Sequence, residues 1–217
     1  MAAVVETAIT KDAKIKIHKI RARLKILREF FIYLQIKLNF DKLLLMNTKF
    51  KSYYNSPLGK IIIVADNASV YGVYFDSQKH LPENLEDYEI NDNILAIKEV
   101  KNWLDEYFEG KNPSVKNLSI KLIGSEFKLL VWSVLKTIPY GKTLTYGEIA
   151  QMLAKKMNKE KMSARAVGSA VGHNPISIII PCHRVLGKNN KITGYAGGID
   201  KKLELLKLEG INVNNLK

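Results

Sequence analysis

Pro181-Cys182-His183-Arg184-Val185 places the only cysteine of the chain beside a histidine, directly after the apolar run Ile178-Ile179-Ile180. A thiolate is a strong nucleophile, but a free thiol titrates near about 8.5, so a catalytic cysteine needs a base or a positive charge close by. His183 and Arg184 supply both types. Neighbours in an extended chain point to opposite sides, so His183 serves Cys182 only through a tight turn or a bridging water. The pentapeptide alone leaves two readings open: a nucleophile with its base, or a small buried hydrophobe capping a strand next to a surface histidine.

Working outward, the chain reads Arg165-Ala166-Val167-Gly168, Asn174-Pro175, then Ile180 through Val185, Gly194-Tyr195-Ala196-Gly197-Gly198, Leu205-Leu206 and Glu209-Gly210. Upstream stand Gly124-Ser125-Glu126-Phe127, Val131-Trp132, Ile138-Pro139-Tyr140-Gly141 and Thr145-Tyr146. The front half adds Tyr54-Asn55-Ser56-Pro57-Leu58-Gly59 and Tyr107-Phe108-Glu109-Gly110. In order and spacing these motifs resemble the O6-alkylguanine-DNA alkyltransferase family, also called methylated-DNA–protein-cysteine methyltransferases, over residues 46 to 210. Ser125 and Lys128 stand where the family more often has Thr and Gln, and a lysine-rich stretch, Lys155 to Lys161, lengthens the segment before Arg165. A sister group of alkyltransferase-like proteins carries tryptophan at the cysteine position and binds lesions without repairing them. Cys182 argues against that membership.

Hydrophobic residues at 47% and charged residues at 25% of the 217-residue chain are ordinary for a soluble globular protein with a real core. The excess of 34 Lys plus Arg over 21 Asp plus Glu, a formal charge of +13, suggests a polyanionic partner. One cysteine excludes an intrachain disulfide, and His18, His80, His173 and His183 are too scattered for a structural zinc site, so no metal and a reducing compartment, the cytoplasm, are expected. No apolar run approaches the roughly 20 residues that span a bilayer; even Phe30 to Ile36 is bounded by charges. No membrane partner is expected.

Residues 1–45 lie outside the resemblance and hold ten basic against four acidic residues. Ile20, Leu24, Leu27, Phe31, Leu34 and Leu38 recur at steps of four and three, the apolar stripe of an amphipathic helix flanked by Lys19, Arg21, Arg23, Lys25 and Arg28. Such a helix could meet a membrane, the protein body or nucleic acid; alternatively, Met46 marks the true start and the segment is an overextended reading frame. Residues 46–117 read as a small α/β domain: strands Ile61-Ala65 and Val70-Phe75 around an Asp66-Asn67 turn, then a helix from about Asn93 to Phe108 ended by Gly110 and Pro113. It carries no candidate site and reads as scaffold. In residues 118–217, Ser125 caps a helix carrying Phe127, Leu130, Val131, Val134 and Leu135, Thr145 caps one from Tyr146 to about Ala154, and Ser163 caps Ala164 to Gly172. The last two helices suggest a helix-turn-helix. The expected fold is thus α+β, a small N-terminal α/β domain followed by a mostly helical C-terminal domain of winged-helix-like type. The Ala, Gly and Ser of the third helix let a backbone approach nucleic acid closely, and serve tight packing inside the protein equally well.

The resemblance implies stoichiometric transfer of an alkyl group from O6-alkylguanine, with O4-alkylthymine a further candidate substrate, to Cys182. An O6-alkyl group lies inside the duplex, so the nucleotide must be rotated out into a pocket. By resemblance, Arg165 fills the vacated stack, and the helix bearing Ala164 and Gly168 enters the minor groove. The resemblance also implies that Tyr146 sits by the lesion's 3′ phosphate, pushing it to rotate the nucleotide, and donates a proton to the departing guanine. The carbonyls of Cys182 and Val185 take the guanine exocyclic amine, Tyr195 and the Ala196 amide face O6, and Asn174 ties the recognition helix to the active-site strand. His183 takes the thiol proton through a water, and Glu209 orients and stabilises the imidazolium. The partner implied is double-stranded DNA carrying O6-alkylguanine, bound by a monomer with no cofactor. A non-catalytic lesion-binding or regulatory DNA-binding protein, and a thiol hydrolase built on Cys182 and His183, are the rival classes.

Overall fold

The computed structural model describes residues 16, 18, 23–38 and 48–217. Residues 23–38 form a helix, α1, which belongs to a unit of its own, Met1–Asn47. Along it Leu24, Leu27, Phe31, Leu34 and Leu38 are all exposed. Ile20 of the expected stripe, and Lys19 and Arg21 of the basic residues flanking it, lie outside the described residues.

The second unit, Thr48–Lys217, begins with a sheet of order β3-β2-β1-β4, made of β1 Phe50–Ser56, β2 Gly59–Ala65, β3 Val70–Phe75 and β4 Glu89–Ile90. β2 and β3 match the two expected strands, but the sheet has four. β1 escapes an alternation test because its buried positions include Lys51 and Ser52. The Lys51 Nζ donates to the carbonyls of Leu85 (3.0 Å) and Glu86 (3.2 Å), and Ser52 donates to Asp92, so polar atoms are satisfied where an apolar pattern would be expected. The unbroken apolar run of β2 follows from burial on both faces. Ile61, Ile63 and Ala65 join the main core, whereas Ile62 and Val64 pack with Tyr74 and Leu85. Helix α2, Leu95–Phe108, starts two residues later than Asn93 and buries Ile97, Val100, Leu104 and Tyr107, the spacing of one helical face.

The chain then lays two short segments on the sheet. Val70 N donates to Ser119 O (2.7 Å) and Lys121 N to Val70 O (2.9 Å), while Val73 N donates to Pro175 O (2.9 Å) and Ser177 N to Val73 O (2.8 Å). β3 is therefore not an open edge, and the second segment is the one that leads to Cys182. Three capped helices complete the scaffold: α3 Glu126–Leu135, α4 Tyr146–Lys156 and α5 Ala164–Gly172. Ser125, Thr145 and Ser163 cap them as expected, Thr145 through a reciprocal capping box with Glu148. Trp132 Nε1 donates to Ala170 O at 2.9 Å, tying α3 to α5. A short parallel pair, β5 Leu144–Thr145 with β6 Val185–Leu186, sets the start of α4 beside the Cys182 segment. Helix α6, Ile199–Leu208, packs behind it and delivers Glu209 at its end. No helix among the described residues is long and apolar enough to cross a membrane.

Candidate active site

The Ile178-Ile179-Ile180 run is a tight turn, not the strand that its β-branched residues suggest. Ile180 N donates to Ile176 O (3.0 Å) and Cys182 N to Ile180 O (2.8 Å), and Ile178 sits at φ 71°, 1% exposed. A β-branched residue in that region costs on the order of 1–3 kcal/mol and persists only where its surroundings over-determine it. Asn174 does so here: its Nδ2 donates to Ile176 O (3.2 Å), Ile180 O (2.8 Å) and the Cys182 Sγ (3.0 Å), while its Oδ1 accepts from Ile176 N (3.1 Å). The side chain at the end of α5 thus holds both the turn and the sulfur. Cys182–Arg184 forms one turn of 3-10 helix, with Cys182 5% and His183 0% exposed.

Five hydrogen bonds converge on the buried Glu209 carboxylate. Oε1 accepts from His183 Nε2 (2.7 Å), Arg184 Nη2 (2.9 Å) and the Tyr107 hydroxyl (2.8 Å); Oε2 accepts from Arg184 Nε (2.8 Å) and Gly141 N (3.2 Å). Gly141 has φ +70°, and a Cβ there would lie 3.0 Å from the Glu209 carbonyl oxygen, so glycine is required to present that amide. Burial works to raise the Glu209 carboxyl, but His183 and Arg184 outweigh it and hold it at about 2. The carboxylate is therefore a fixed negative charge.

Burial lowers the His183 imidazole, against the pull of Glu209, so the ring is neutral near pH 7. Its proton is assigned to Nε2, which faces the carboxylate, leaving the Nδ1 lone pair as an acceptor. Nδ1 is buried with no hydrogen-bond partner among the described residues. Burial also pushes the Cys182 thiol up, opposed by the Asn174 amide and the charge of Lys202. The site therefore holds a protonated thiol and, on the next residue, a neutral imidazole with a free lone pair, a combination from which a base-activated nucleophile can be built.

Tyr146, the first residue of α4, accepts a hydrogen bond from the Thr193 hydroxyl (3.4 Å), and burial raises its phenol, so it stays protonated. With Ala164 and Gly168 it lines an open cleft of about 730 Å³, whose lining also includes Lys188 and Asn189. Arg165 is exposed at the start of α5. Cys182, His183, Glu209, Asn174 and Val185 form the buried cluster beside this cleft. Tyr195 packs edge-on against Phe75 at 6.4 Å, and Ala196 O accepts from Lys79 N at 3.1 Å, so the loop carrying both is held by the front half. The Cys182 and Val185 carbonyls already accept one hydrogen bond each, from Val185 N and from Lys202 Nζ (2.5 Å), and a carbonyl can accept a second.

Sequence reasoning left out three residues of this cluster: Tyr107, Arg184 as a ligand of Glu209, and Lys202. Lys202 is 0% exposed on the buried face of α6, and burial lowers its ammonium to about 8. Both Lys202 and Tyr107 carry a polar tip on an otherwise apolar helical face, which is the signal that could have found them. Tyr107 comes from the half to which the sequence assigned no site. Tyr107→Phe keeps the ring stacked on Trp103 at 5.3 Å but removes one donor from the carboxylate. It is expected to cost about 1.5–3 kcal/mol of unfolding free energy in urea denaturation; a change within error of zero would show that the bond contributes nothing. Among the described residues no group of three or more His, Cys, Asp or Glu side chains could hold a metal ion.

Comparison with known proteins gives a consistent result. Residues 49–122 match the family model for the ribonuclease-like domain of 6-O-methylguanine DNA methyltransferase, and residues 126–211 match that for its DNA-binding domain. The chain is 39% identical over 166 residues to a methylated-DNA–protein-cysteine methyltransferase of Haemophilus influenzae, covering 76% of this chain and 89% of that protein. It is 44% identical over 159 residues to one of Methanosarcina acetivorans, covering 72% and 96%. A crystal structure of Mycobacterium tuberculosis OGT in complex with DNA superimposes with a TM-score of 0.65 at 34% identity, over 77% of this chain and 94% of that one.

Proposed function

As a member of the 6-O-methylguanine DNA methyltransferase family, the chain is a methylated-DNA–protein-cysteine methyltransferase that repairs DNA by direct reversal, and we propose that Cys182 is its acceptor and that the Glu209 cluster activates it. The observation that supports this assignment is the buried ring of His183, the residue that follows Cys182, fixed by Glu209 on Nε2 and left with no hydrogen-bond partner on Nδ1 among the described residues.

In the proposed reaction, the damaged nucleotide rotates out of the duplex while Arg165 occupies the gap. Arg165 suits this because its planar guanidinium stacks and hydrogen-bonds among phosphates. The thiol proton passes through one water to His183 Nδ1, and Glu209 stabilises the imidazolium. The sulfur–carbon bond forms as the carbon–O6 bond breaks, with the electron pair staying on guanine. The Tyr146 phenol gives guanine a proton, and the proton held by His183 later restores the phenol through solvent. The free lone pairs of the Cys182 and Val185 carbonyls receive the exocyclic amine, and the Ala196 amide with Tyr195 faces O6. Asn174 keeps the sulfur aimed at the pocket. The product is a thioether, which no group nearby can hydrolyse.

Each molecule therefore repairs one lesion. Titration with a duplex carrying one O6-methylguanine should plateau at one guanine restored per protein; continued turnover would contradict the scheme. Arg165→Ala separates rotation from chemistry. It is expected to slow repair in duplex DNA by about a hundredfold, the order of penalty for a lost positioning group, and to leave methyl transfer from free O6-methylguanine unchanged. Equal losses on both substrates would remove Arg165 from the rotation step. We further place the protein in the cytoplasm, where its thiol stays reduced.

A further inference from the structure

We propose that the lysine-bearing turn between α4 and α5, Lys155 through Lys161, is a second phosphate-binding surface that holds the DNA backbone beyond the nucleotide under repair. This rests on the DNA-repair reading above and adds to it a surface outside the reaction pocket.

The turn is built rather than loose. Met157 N and Lys159 N donate to Leu153 O and Ala154 O, each at 2.9 Å, and Asn158 takes φ 51°, which folds Lys159 back across the end of α4. At its far end Met162 packs against the core, and the Ser163 side chain caps α5 by accepting from Ala166 N at 3.3 Å. Lys155, Lys156, Lys159 and Lys161 are all exposed between these anchors. The carboxylate of Glu160 lies 3.9 Å from Lys161, with both side chains about nine-tenths exposed. An ion pair so solvated leaves the lysine charges available to a stronger anion.

The position fits a polyanion already engaged at the pocket. A cleft of about 570 Å³ runs between α4 and the turn, with Lys155, Lys159 and Lys161 on its wall. It shares Gly147, Gln151 and Ala164 with the cleft that holds Tyr146 and Gly168. The basic turn and the face of Tyr146 are thus one continuous surface, with Arg165 following directly in sequence. Lys155 and Lys156 also complement the C-terminal dipole of α4. That explanation does not extend to Lys159 and Lys161, which lie beyond the helix. Lysine ammonium groups are point charges without base readout, so the surface should hold phosphates regardless of sequence.

The test uses the full chain with Lys155, Lys156, Lys159 and Lys161 all changed to Gln, and an undamaged duplex long enough to cover both clefts. Each phosphate neutralised contributes about 0.9 to the slope of log affinity against log salt, so the variant should bind with a slope smaller by about 2 to 3 and, near 0.1 M salt, roughly ten- to a hundredfold more weakly. Methyl transfer from free O6-methylguanine should be unchanged. Should the quadruple variant fold poorly, Lys159→Glu with Lys161→Glu, outside the helix, should give the same loss of slope. An unchanged slope in a folded variant overturns the proposal and leaves the lysines as a solvated helix end. A wild-type protein with no salt dependence overturns the DNA reading together with it, so the two failures are distinguishable.

Discussion

Cys182→Ala protein is expected to bind lesion-bearing duplex as tightly as the wild type and to transfer no methyl group at all. Cys182 carries the only thiol in the chain. His183 is no ready substitute, because its Nε2 is committed to Glu209 and its Nδ1 is buried. The substitution should leave the fold intact. The Asn174 amide keeps the Ile180 and Ile176 carbonyls as acceptors when the sulfur goes, and removing one buried sulfur atom costs about 1 kcal/mol. Gel-shift affinity and restored guanine, measured on the same preparation, separate the rival classes. Binding without transfer marks Cys182 as the acceptor; any residual stoichiometric transfer would place the acceptor elsewhere.

Glu209→Ala should be the most damaging single change to stability. It strips the carboxylate from Arg184, which is 9% exposed and whose guanidinium otherwise donates only to the Ile138 carbonyl (2.6 Å) among the described residues, and leaves His183 Nε2, the Tyr107 hydroxyl and Gly141 N without this acceptor. Removing one side of a buried ion pair costs about 3–5 kcal/mol, a large part of the roughly 5–15 kcal/mol that holds a domain folded. In the fraction that still folds, the rate of transfer should fall by about 10²- to 10⁴-fold, because the imidazole loses both orientation and the charge that stabilises its protonated form. Urea denaturation and single-turnover repair at pH 7 read the two effects separately. A stable, slow variant would assign Glu209 to chemistry alone, and an unstable variant of full specific activity would assign it to folding alone.

The same carboxylate sets the acid behaviour of the wild type. Its folded pKa of about 2 lies below the ordinary 4.5, so the unfolded chain binds the proton more tightly. The stabilisation is complete above about pH 4.5 and is lost as the pH falls through about 2. His183 acts in the same direction: its lowered pKa means that acid favours the unfolded chain below the usual 6.5.

Much of this was legible in the sequence where local rules decide the structure. Ser125, Thr145 and Ser163 announce their helices because a side-chain oxygen before an apolar stripe satisfies an orphaned amide, and all three do so. β2 and β3 are legible through their apolar runs. Where long-range partners decide, the sequence misleads. Lys51 and Ser52 hide β1 because their acceptors lie more than thirty residues away. Ile178-Ile179-Ile180 reads as a strand until the Asn174 side chain, which fixes the turn, is seen. Glu209 taken by itself reads as a solvated carboxylate at a helix end; only the resemblance brought it to His183, and only the fold supplies Tyr107, Arg184 and Gly141 around it. The surplus of positive charge hinted at a polyanion, but the placement of Lys155 to Lys161 beside the Tyr146 cleft depends on how the turn folds back.

The most direct measurement is the intact mass and peptide map of the purified protein after mixing with a short duplex containing one O6-methylguanine. The account predicts one added methyl group, located on Cys182, saturating at one equivalent, with unmodified guanine recovered from the DNA. An unmodified Cys182 in a protein that still binds the lesion selectively would contradict it.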